Sequence, residues 1–191
     1  MFKSIKFRDL TADEIDCRIQ QEKVMPFDAT KMWARVLLYK DARVDQTILD
    51  ETVGNLNWQR KHEELKENMY CAIGINVNYD DPTKEPIWVF KQDCGAESFS
   101  EKEKGEASDS FKRAGVNWGI GRELYTKIPI TIFNLPMNKN NHVDGTFEVE
   151  KVDIKDKEIV GLSLLFVQKG TKKRCFVWTK EKGVIQSEVK E

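Results

Sequence analysis

The most constraining feature of this sequence is one long helical pattern, over residues 100–118, among short segments that alternate. Its apolar residues recur at spacings of four, three and four: Ala107, Phe111, Ala114 and Trp118. Side chains at these spacings lie on one narrow face of an α-helix, so the pattern predicts an amphipathic helix. Ser100 suits its N-cap, with Glu103 three positions on, and Gly119 suits its end.

Three extended segments precede this helix, over 56–66, 69–79 and 86–92. In the second segment apolar residues alternate with smaller or polar ones, which is typical of a half-buried strand. Residues 80–86 carry turn chemistry between the second and third strands. Consecutive strands with short connections favour an antiparallel sheet, because parallel strands need long crossovers.

The rest of the chain completes an α+β pattern. A T-x-x-E capping box and two isoleucines four residues apart predict a short helix over 11–21. The sequence further predicts a strand over 31–39, a helix over 42–54 and strands over 146–155, 158–168 and 174–179. With 191 residues, we expect one domain over 1–191, an antiparallel sheet packed on the long helix with extra C-terminal strands.

Composition excludes several classes of protein. One third of the residues are charged, which disfavours a membrane span, and the first ten residues lack the apolar stretch of a secretory signal. The four cysteines lie far apart without a CxxC pair, and there are two histidines. This pattern predicts reduced thiols in a cytoplasmic protein and disfavours a zinc module.

Familiar catalytic motifs are missing from the sequence. It contains no Walker phosphate loop, and the glycines of GVNWGIGR (115–122) end a helix instead of joining a strand to one. His62 and His142 have no nucleophile motif around them. We therefore expect no enzyme, no cofactor and no metal.

One alternative remains open, a metal-dependent nuclease or DNA-processing enzyme. Such chemistry needs carboxylates that converge on a divalent cation. The sequence offers several acids for this role, although solvated surface explains them as well: Asp80, Asp81, Asp93, Glu97 and a loose E-x-K of Glu64 and Lys66.

The basic residues of the long helix are the other candidate site. Lys112 and Arg113 lie about 100° apart around the helix axis and flank its polar side, with Lys104 nearer the apolar edge. Side chains placed along one helix in this way can contact successive phosphates of a nucleic-acid backbone. Four acids share the helix, so a mixed-charge solvated face explains the pattern equally well: Glu101, Glu103, Glu106 and Asp109.

Two further groups of residues have a structural interpretation at this point. The basic run from Lys169 to Arg174 surrounds Gly170 and is typical of a hairpin turn. Tyr39, Trp58 and Trp88 could stack on bases, but their place in alternating apolar runs favours core packing.

The helix segment GEASDSFKRAGVNWGIGRELY (105–125) resembles the signature helix of the Rad-fifty-two superfamily of single-strand annealing proteins, especially its phage and prophage (Sak-type) members. In these proteins an S/T-D-x-x-K-R-A core precedes a G-x-G exit. The upstream segment RVLLYKDARVDQTILDETVGNLNW (35–58) resembles the strand, turn and helix that open the same domain. The two matches keep the family's order and, with the strands between them, span about 11–130.

The resemblance implies a β-β-β-α core that assembles into a homo-oligomeric ring, with single-stranded DNA in an outer basic groove. By that likeness Arg43, Lys112 and Arg113 match family positions that hold phosphates, and Lys104 matches a further basic position. Lys84 and Lys127 are weaker matches to a second, outer DNA site. The role of the β-rich segment 140–191 stays open.

The function that the resemblance implies is ATP-independent annealing of single-stranded DNA in homologous recombination, in the cytoplasm of a bacterial host. The implied partners are single-stranded DNA, further copies of the chain and a host or phage single-strand-binding protein. A monomeric interaction module is the third alternative. Because the net charge is −1, any DNA must be held by a local basic surface and not by the overall field.

Overall fold

A computed structural model describes residues 4–95 and 102–189, with the main chain alone for 102–104. The described residues form two α-helices and ten strands, together with two short 3-10 helices. The helices are α1 (Ala42–Val53) and α2 (Lys102–Trp118). The strands are β1 (Asp16–Met25), β2 (Asp28–Tyr39), β3 (Trp58–Leu65), β4 (Asn68–Asn76), β5 (Trp88–Cys94), β6 (Thr131–Pro136), β7 (Thr146–Lys155), β8 (Glu158–Gln168), β9 (Thr171–Thr179) and β10 (Gly183–Gln186).

The architecture is mixed, with strands predominating, and this much of the predicted fold class is confirmed. The strands form a curled seven-stranded sheet in the order β10-β9-β8-β7-β1-β2-β6 and a three-stranded sheet in the order β3-β4-β5. Neighbouring strands pair antiparallel in both sheets. In the described part of the chain, neither helix is long and apolar enough to cross a bilayer.

The chain divides into two compact units that alternate along the sequence. The first unit comprises Met1–Asp9 and Asp41–Arg122, and the second comprises Leu10–Lys40 and Glu123–Glu191. The three-stranded sheet and both helices belong to the first unit, and the seven-stranded sheet belongs to the second. The expected single domain over 1–191 stays a prediction.

The second unit is built around the curled sheet. Phe133 of β6 donates its N–H to the carbonyl of Ser187, 2.8 Å away, just after β10. The two ends of the sheet therefore meet. The curled sheet holds one apolar cluster: Met32, Ala34, Val36, Ile130, Ile132, Leu135, Val143, Phe147, Ile159, Leu162, Leu164, Phe166, Cys175, Phe176 and Trp178.

The helix predicted over 11–21 is wrong. The capping box does form, because the Thr11 N–H donates to the Glu14 carboxylate at 3.0 Å, but only a 3-10 turn follows it. Ile19 then lies in β1, paired with Val36 of β2. Isoleucines four residues apart also fit the period of a strand, and pairing with β2 over most of its length decides for the strand.

The first unit follows the sequence prediction more closely. The strands predicted over 56–66, 69–79 and 86–92 form at 58–65, 68–76 and 88–94. In β4 the alternating residues Cys71, Ile73 and Ile75 are fully buried as expected, but Gly74 and Asn76 between and after them are buried as well, and Val77 lies beyond the strand. Helix α1 begins after its N-cap Asp41 and ends at Gly54, whose φ of 82° suits a glycine.

Burial of Leu49 in α1 leads to a stability prediction. Leu49 is fully buried, whereas Leu56 of the same unit is exposed. Leu49→Ala should lower the free energy of unfolding by about 2–5 kcal/mol, because it removes buried methyl groups and leaves a cavity. The matched Leu56→Ala variant should change it by less than about 0.5 kcal/mol. Urea unfolding followed by circular dichroism measures both, and equal effects would contradict the assigned burial.

Thiol reactivity gives a second test of the packing. The four cysteines are free, and Cys71 and Cys175 are buried. Burial raises the pKa of the Cys175 thiol to about 12 and that of Cys71 to about 11. Because the thiolate is the nucleophile, both should react far more slowly with iodoacetamide at neutral pH in the folded protein than in denaturant. Peptide mass spectrometry measures this, and equal rates in both conditions would refute the burial.

Candidate nucleic-acid interface

Helix α2 carries the predicted basic residues, and an apolar stripe determines which way they point. Phe111 and Ala114 are fully buried. The Phe111 ring stacks on Trp58 of β3 with 6.2 Å between centroids. The Trp118 indole N–H donates to the Ile73 carbonyl of β4 at 3.0 Å. The stripe predicted from the sequence is therefore the side of α2 that contacts the strands.

Lys112 and Arg113 leave this stripe on different sides of the helix. The Arg113 Nε lies 3.3 Å from Asp93 Oδ1, so Arg113 points to β5. Asn117, one turn on, donates to the Gln92 carbonyl of the same strand at 3.0 Å. Lys112 lies about 100° from Arg113 around the axis, is half-buried, and makes no ion pair with any residue that the structure describes.

Helix α1 meets α2 on the side nearer Lys112. Asp45 is fully buried, and its Oδ1 lies 2.4 Å from where a Cβ would stand on Gly115, so this contact requires a glycine. Gly115 is about 60° from Lys112 around α2 and about 160° from Arg113. The helix that bears Arg43 therefore flanks Lys112, while Arg113 belongs to the β5 side.

Arg43 itself lies in the first turn of α1 and is very exposed. Its side chain is 87% accessible, and its Nη1 lies 3.8 Å from Asp41 Oδ1. The same Asp41 carboxylate accepts the Arg43 main-chain N–H at 2.8 Å as the helix cap. An ion pair this long and exposed contributes little, so the guanidinium is available to an anionic partner.

The three remaining predicted residues do not join these. The Lys104 side chain lies outside the described residues. Lys84 follows β4 in a turn, with its Nζ 2.8 Å from Asp81 Oδ2. This hydrogen bond raises the pKa of Lys84, and it lowers that of Asp81 to about 2 with help from Thr83. Lys127 is exposed and belongs to the second unit.

Two basic residues that the sequence reasoning missed also lie beside α2. The Arg60 guanidinium of β3 lies 4.9 Å from the centre of the Phe111 ring. The Lys91 Nζ of β5 lies 4.4 Å from the centre of the Trp118 ring and donates to the Asn117 carbonyl at 2.9 Å. The sequence did carry a signal for Arg60. Side chains alternate between the two faces of a strand, so Arg60 lies on the same face of β3 as Trp58.

The candidate catalytic groups are engaged in other contacts. A His62 ring nitrogen lies 3.0 Å from the Ala107 carbonyl, and His142 Nδ1 lies 2.6 Å from a Glu22 carboxylate oxygen. Among the acids proposed for a nuclease, Asp93 pairs with Arg113 and Glu97 lies outside the described residues. Over residues 4–95 and 102–189, no three His, Cys, Asp or Glu side chains are grouped to hold a metal ion.

We expected Tyr39, Trp58 and Trp88 to pack in the core, and only Trp58 does so in part. Trp58 is half-buried against Phe111, but Tyr39 and Trp88 are exposed. Both lie near strand ends, where the period of a strand does not determine what covers a side chain. The hairpin predicted around Gly170 is confirmed between β8 and β9.

Comparison of the chain with protein-family models, with curated proteins and with solved structures yields no match.

The different surroundings of Lys112 and Arg113 lead to a prediction for stability. Arg113→Ala should destabilise the protein by about 0.2–1 kcal/mol, because it breaks the partly exposed pair with Asp93. The effect should shrink in Asp93→Ala and in high salt, whereas Lys112→Ala should stay within about 0.5 kcal/mol of the parent. A double-mutant cycle in urea measures the coupling, and a coupling of zero would show that the pair does not stabilise the fold.

Proposed function

We propose that this protein binds single-stranded DNA and anneals complementary strands without ATP, promoting homologous recombination as a homo-oligomeric ring. The observation that carries the proposal is the arrangement around α2. The helix containing the S-D-x-x-K-R-A segment follows three antiparallel strands in the chain, and it carries Lys112 without an acidic partner among the described residues. In finer detail, we propose that β3-β4-β5 and α2 form the β-β-β-α core of such a protein.

Charge around α2 supports binding to a phosphate backbone. Lys112 and Arg113 project from the helix, Arg60 and Lys91 flank it on the two outer strands, and Arg43 lies in the first turn of the neighbouring helix. Neutralisation of phosphates releases condensed counterions, so a few such contacts provide sequence-independent affinity. The overall charge of −1 then opposes binding little, because the contacts act locally.

Each copy provides only a weak binding site, and a ring of linked copies compensates for the low affinity of each. Three of the five cations also have structural roles: Arg113 pairs with Asp93, Lys91 contacts the end of α2, and Arg60 lies over the Phe111 ring. Linked copies of one weak site bind a long strand far more tightly than a single copy does. In this arrangement the phosphates are held and the base edges stay free, as pairing requires.

The decisive experiment is annealing of two complementary, fluorescently labelled oligonucleotides in EDTA and without nucleotide. We expect acceleration well above the spontaneous rate, fading steeply as salt rises, because the contacts are electrostatic. Lack of acceleration at low salt, with a folded and oligomeric protein, would refute the proposed function.

Single substitutions test the assigned surface. Lys112→Gln removes a charge that pairs with no acid among the described residues, so it should weaken binding to a single-stranded oligonucleotide and reduce the salt slope by about 0.7. The matched control is Lys182→Gln, an exposed lysine of the second unit, which should leave both unchanged. Fluorescence anisotropy over a salt series measures these quantities, and parent-like binding by Lys112→Gln would show that the surface is misplaced.

A further inference from the structure

Strand β5 forms an edge of the three-stranded sheet and carries an unusual apolar run. Ile87, Trp88, Val89 and Phe90 follow one another, and each is between 36% and 52% exposed. Natural proteins usually protect such an edge with charges, bulges or a covering element, because an open apolar edge pairs with other strands. This run contains no charge.

The hydrogen bonds at the two ends of β5 determine which main-chain groups are open. The Val77 N–H donates to the Ile87 carbonyl, and the Gly95 N–H donates to the Met69 carbonyl, each at 2.8 Å. In an antiparallel ladder every second residue bonds to the neighbouring strand. Ile87, Val89, Lys91 and Asp93 therefore bond to β4, and the residues between them direct their N–H and C=O groups to the free edge.

Other groups block this edge on both sides of a short stretch. The Cys94 N–H donates to the Asp93 carboxylate at 2.8 Å, and the Gln92 carbonyl accepts the Asn117 side-chain amide at 3.0 Å. At the other end, Pro86 has no N–H to donate. Within the described residues, the N–H and C=O groups of Trp88 and Phe90 remain without hydrogen bonds.

We propose that this stretch, Trp88–Phe90, is a two-fold self-association surface. Two copies pair antiparallel through their β5 edges, with Trp88 of each opposite Phe90 of the other and Val89 opposite itself on the axis. Each Trp88–Phe90 pair exchanges two main-chain hydrogen bonds, and the two pairs together use the N–H and C=O groups of Trp88 and Phe90 in both copies. The ladder ends on both sides of this stretch, because Pro86 has no N–H and the Gln92 carbonyl already accepts a hydrogen bond from Asn117.

A second copy is the partner that the chemistry of this stretch fits. Nucleic acid requires cations, and the nearest one along the strand, Lys91, already contacts Trp118 and the end of α2. An uncharged apolar strip is instead covered best by another, and interface cores are poor in charge and rich in aromatic residues. A two-fold axis lets the strip cover itself.

The aromatic side chains are already ordered for this contact. A Cβ on Gly74 would lie 2.3 Å from Cε1 of Phe90, so the Phe90 ring lies over the Gly74 backbone. Trp88 shares that face, opposite the one that α2 contacts. Pairing through β5 does not depend on the proposed annealing function.

Charge substitutions at Val89 test the proposal, because a residue on a two-fold axis faces its own copy. Val89→Lys and Val89→Glu each place like charges opposite one another in a non-hydrogen-bonded pair, with Cβ atoms about 4.5–5.5 Å apart. Each variant alone should halve the mass of the assembly that the parent forms. An equimolar mixture of the two should restore it, since opposite charges then meet. Size-exclusion chromatography with light scattering measures these masses without DNA.

The matched control uses Phe27, which is 97% exposed at the β1–β2 turn of the second unit. Phe27→Lys and Phe27→Glu should leave the mass unchanged, alone and mixed. Circular dichroism and the Tm of each Val89 variant verify that it folds. A parent of 22 kDa at all concentrations, an unchanged mass in folded Val89 variants, or no recovery on mixing would each overturn the proposal. Because the readout is mass alone, failure here is separate from failure of annealing.

Discussion

The contact of Phe111 with Trp58 is the interaction on which the first unit depends. Phe111 is almost fully buried, its ring stacks on Trp58, and the Trp58 indole N–H donates to Asp50 of α1 at 2.6 Å. One aromatic pair thus joins β3, α1 and α2. It also sets the rotation of α2 about its axis, which directs Lys112 outward and Arg113 to β5. The chemistry of the basic surface follows from this apolar contact, because a helix whose stripe is buried cannot turn.

The edge strands of the two sheets differ in whether they find hydrogen-bond partners within the chain. In the second unit the curled sheet brings its two ends together, and the bond from Phe133 to Ser187 joins them. The three-stranded sheet is too narrow to curl in this way, and so its outer strands β3 and β5 each have one neighbouring strand within that sheet. Side chains block one end of β5, but no described residue bonds to the outward main-chain groups of the apolar stretch Trp88–Phe90. Closure within the chain and the proposed pairing between copies answer the same requirement, that main-chain polar groups have partners.

Local patterns predicted most elements of this fold. Helix α1 and the strands of the three-stranded sheet form within a few residues of their predicted bounds, because caps, turns and periodicity act over short distances. The helix predicted over 11–21 was wrong because Ile15 and Ile19 fit both a helix and a strand. Only pairing with the partner strand β2 decided between the two. The core packing predicted for Trp88 was wrong for a related reason. Alternation assigns a side chain to a face of the sheet and does not reveal whether anything covers that face.

The sequence by itself determined the apolar stripe of α2, its glycine end and the presence of Lys112 and Arg113 beside that stripe. Only the tertiary structure decided that Arg113 pairs with Asp93, that α1 flanks the side of Lys112, and that Arg60 and Lys91 stand on either side of the helix. It also decided which groups of β5 stay open. The physical reason is that periodicity fixes the direction of a side chain relative to its own helix or strand, whereas its partners come from segments distant in the chain.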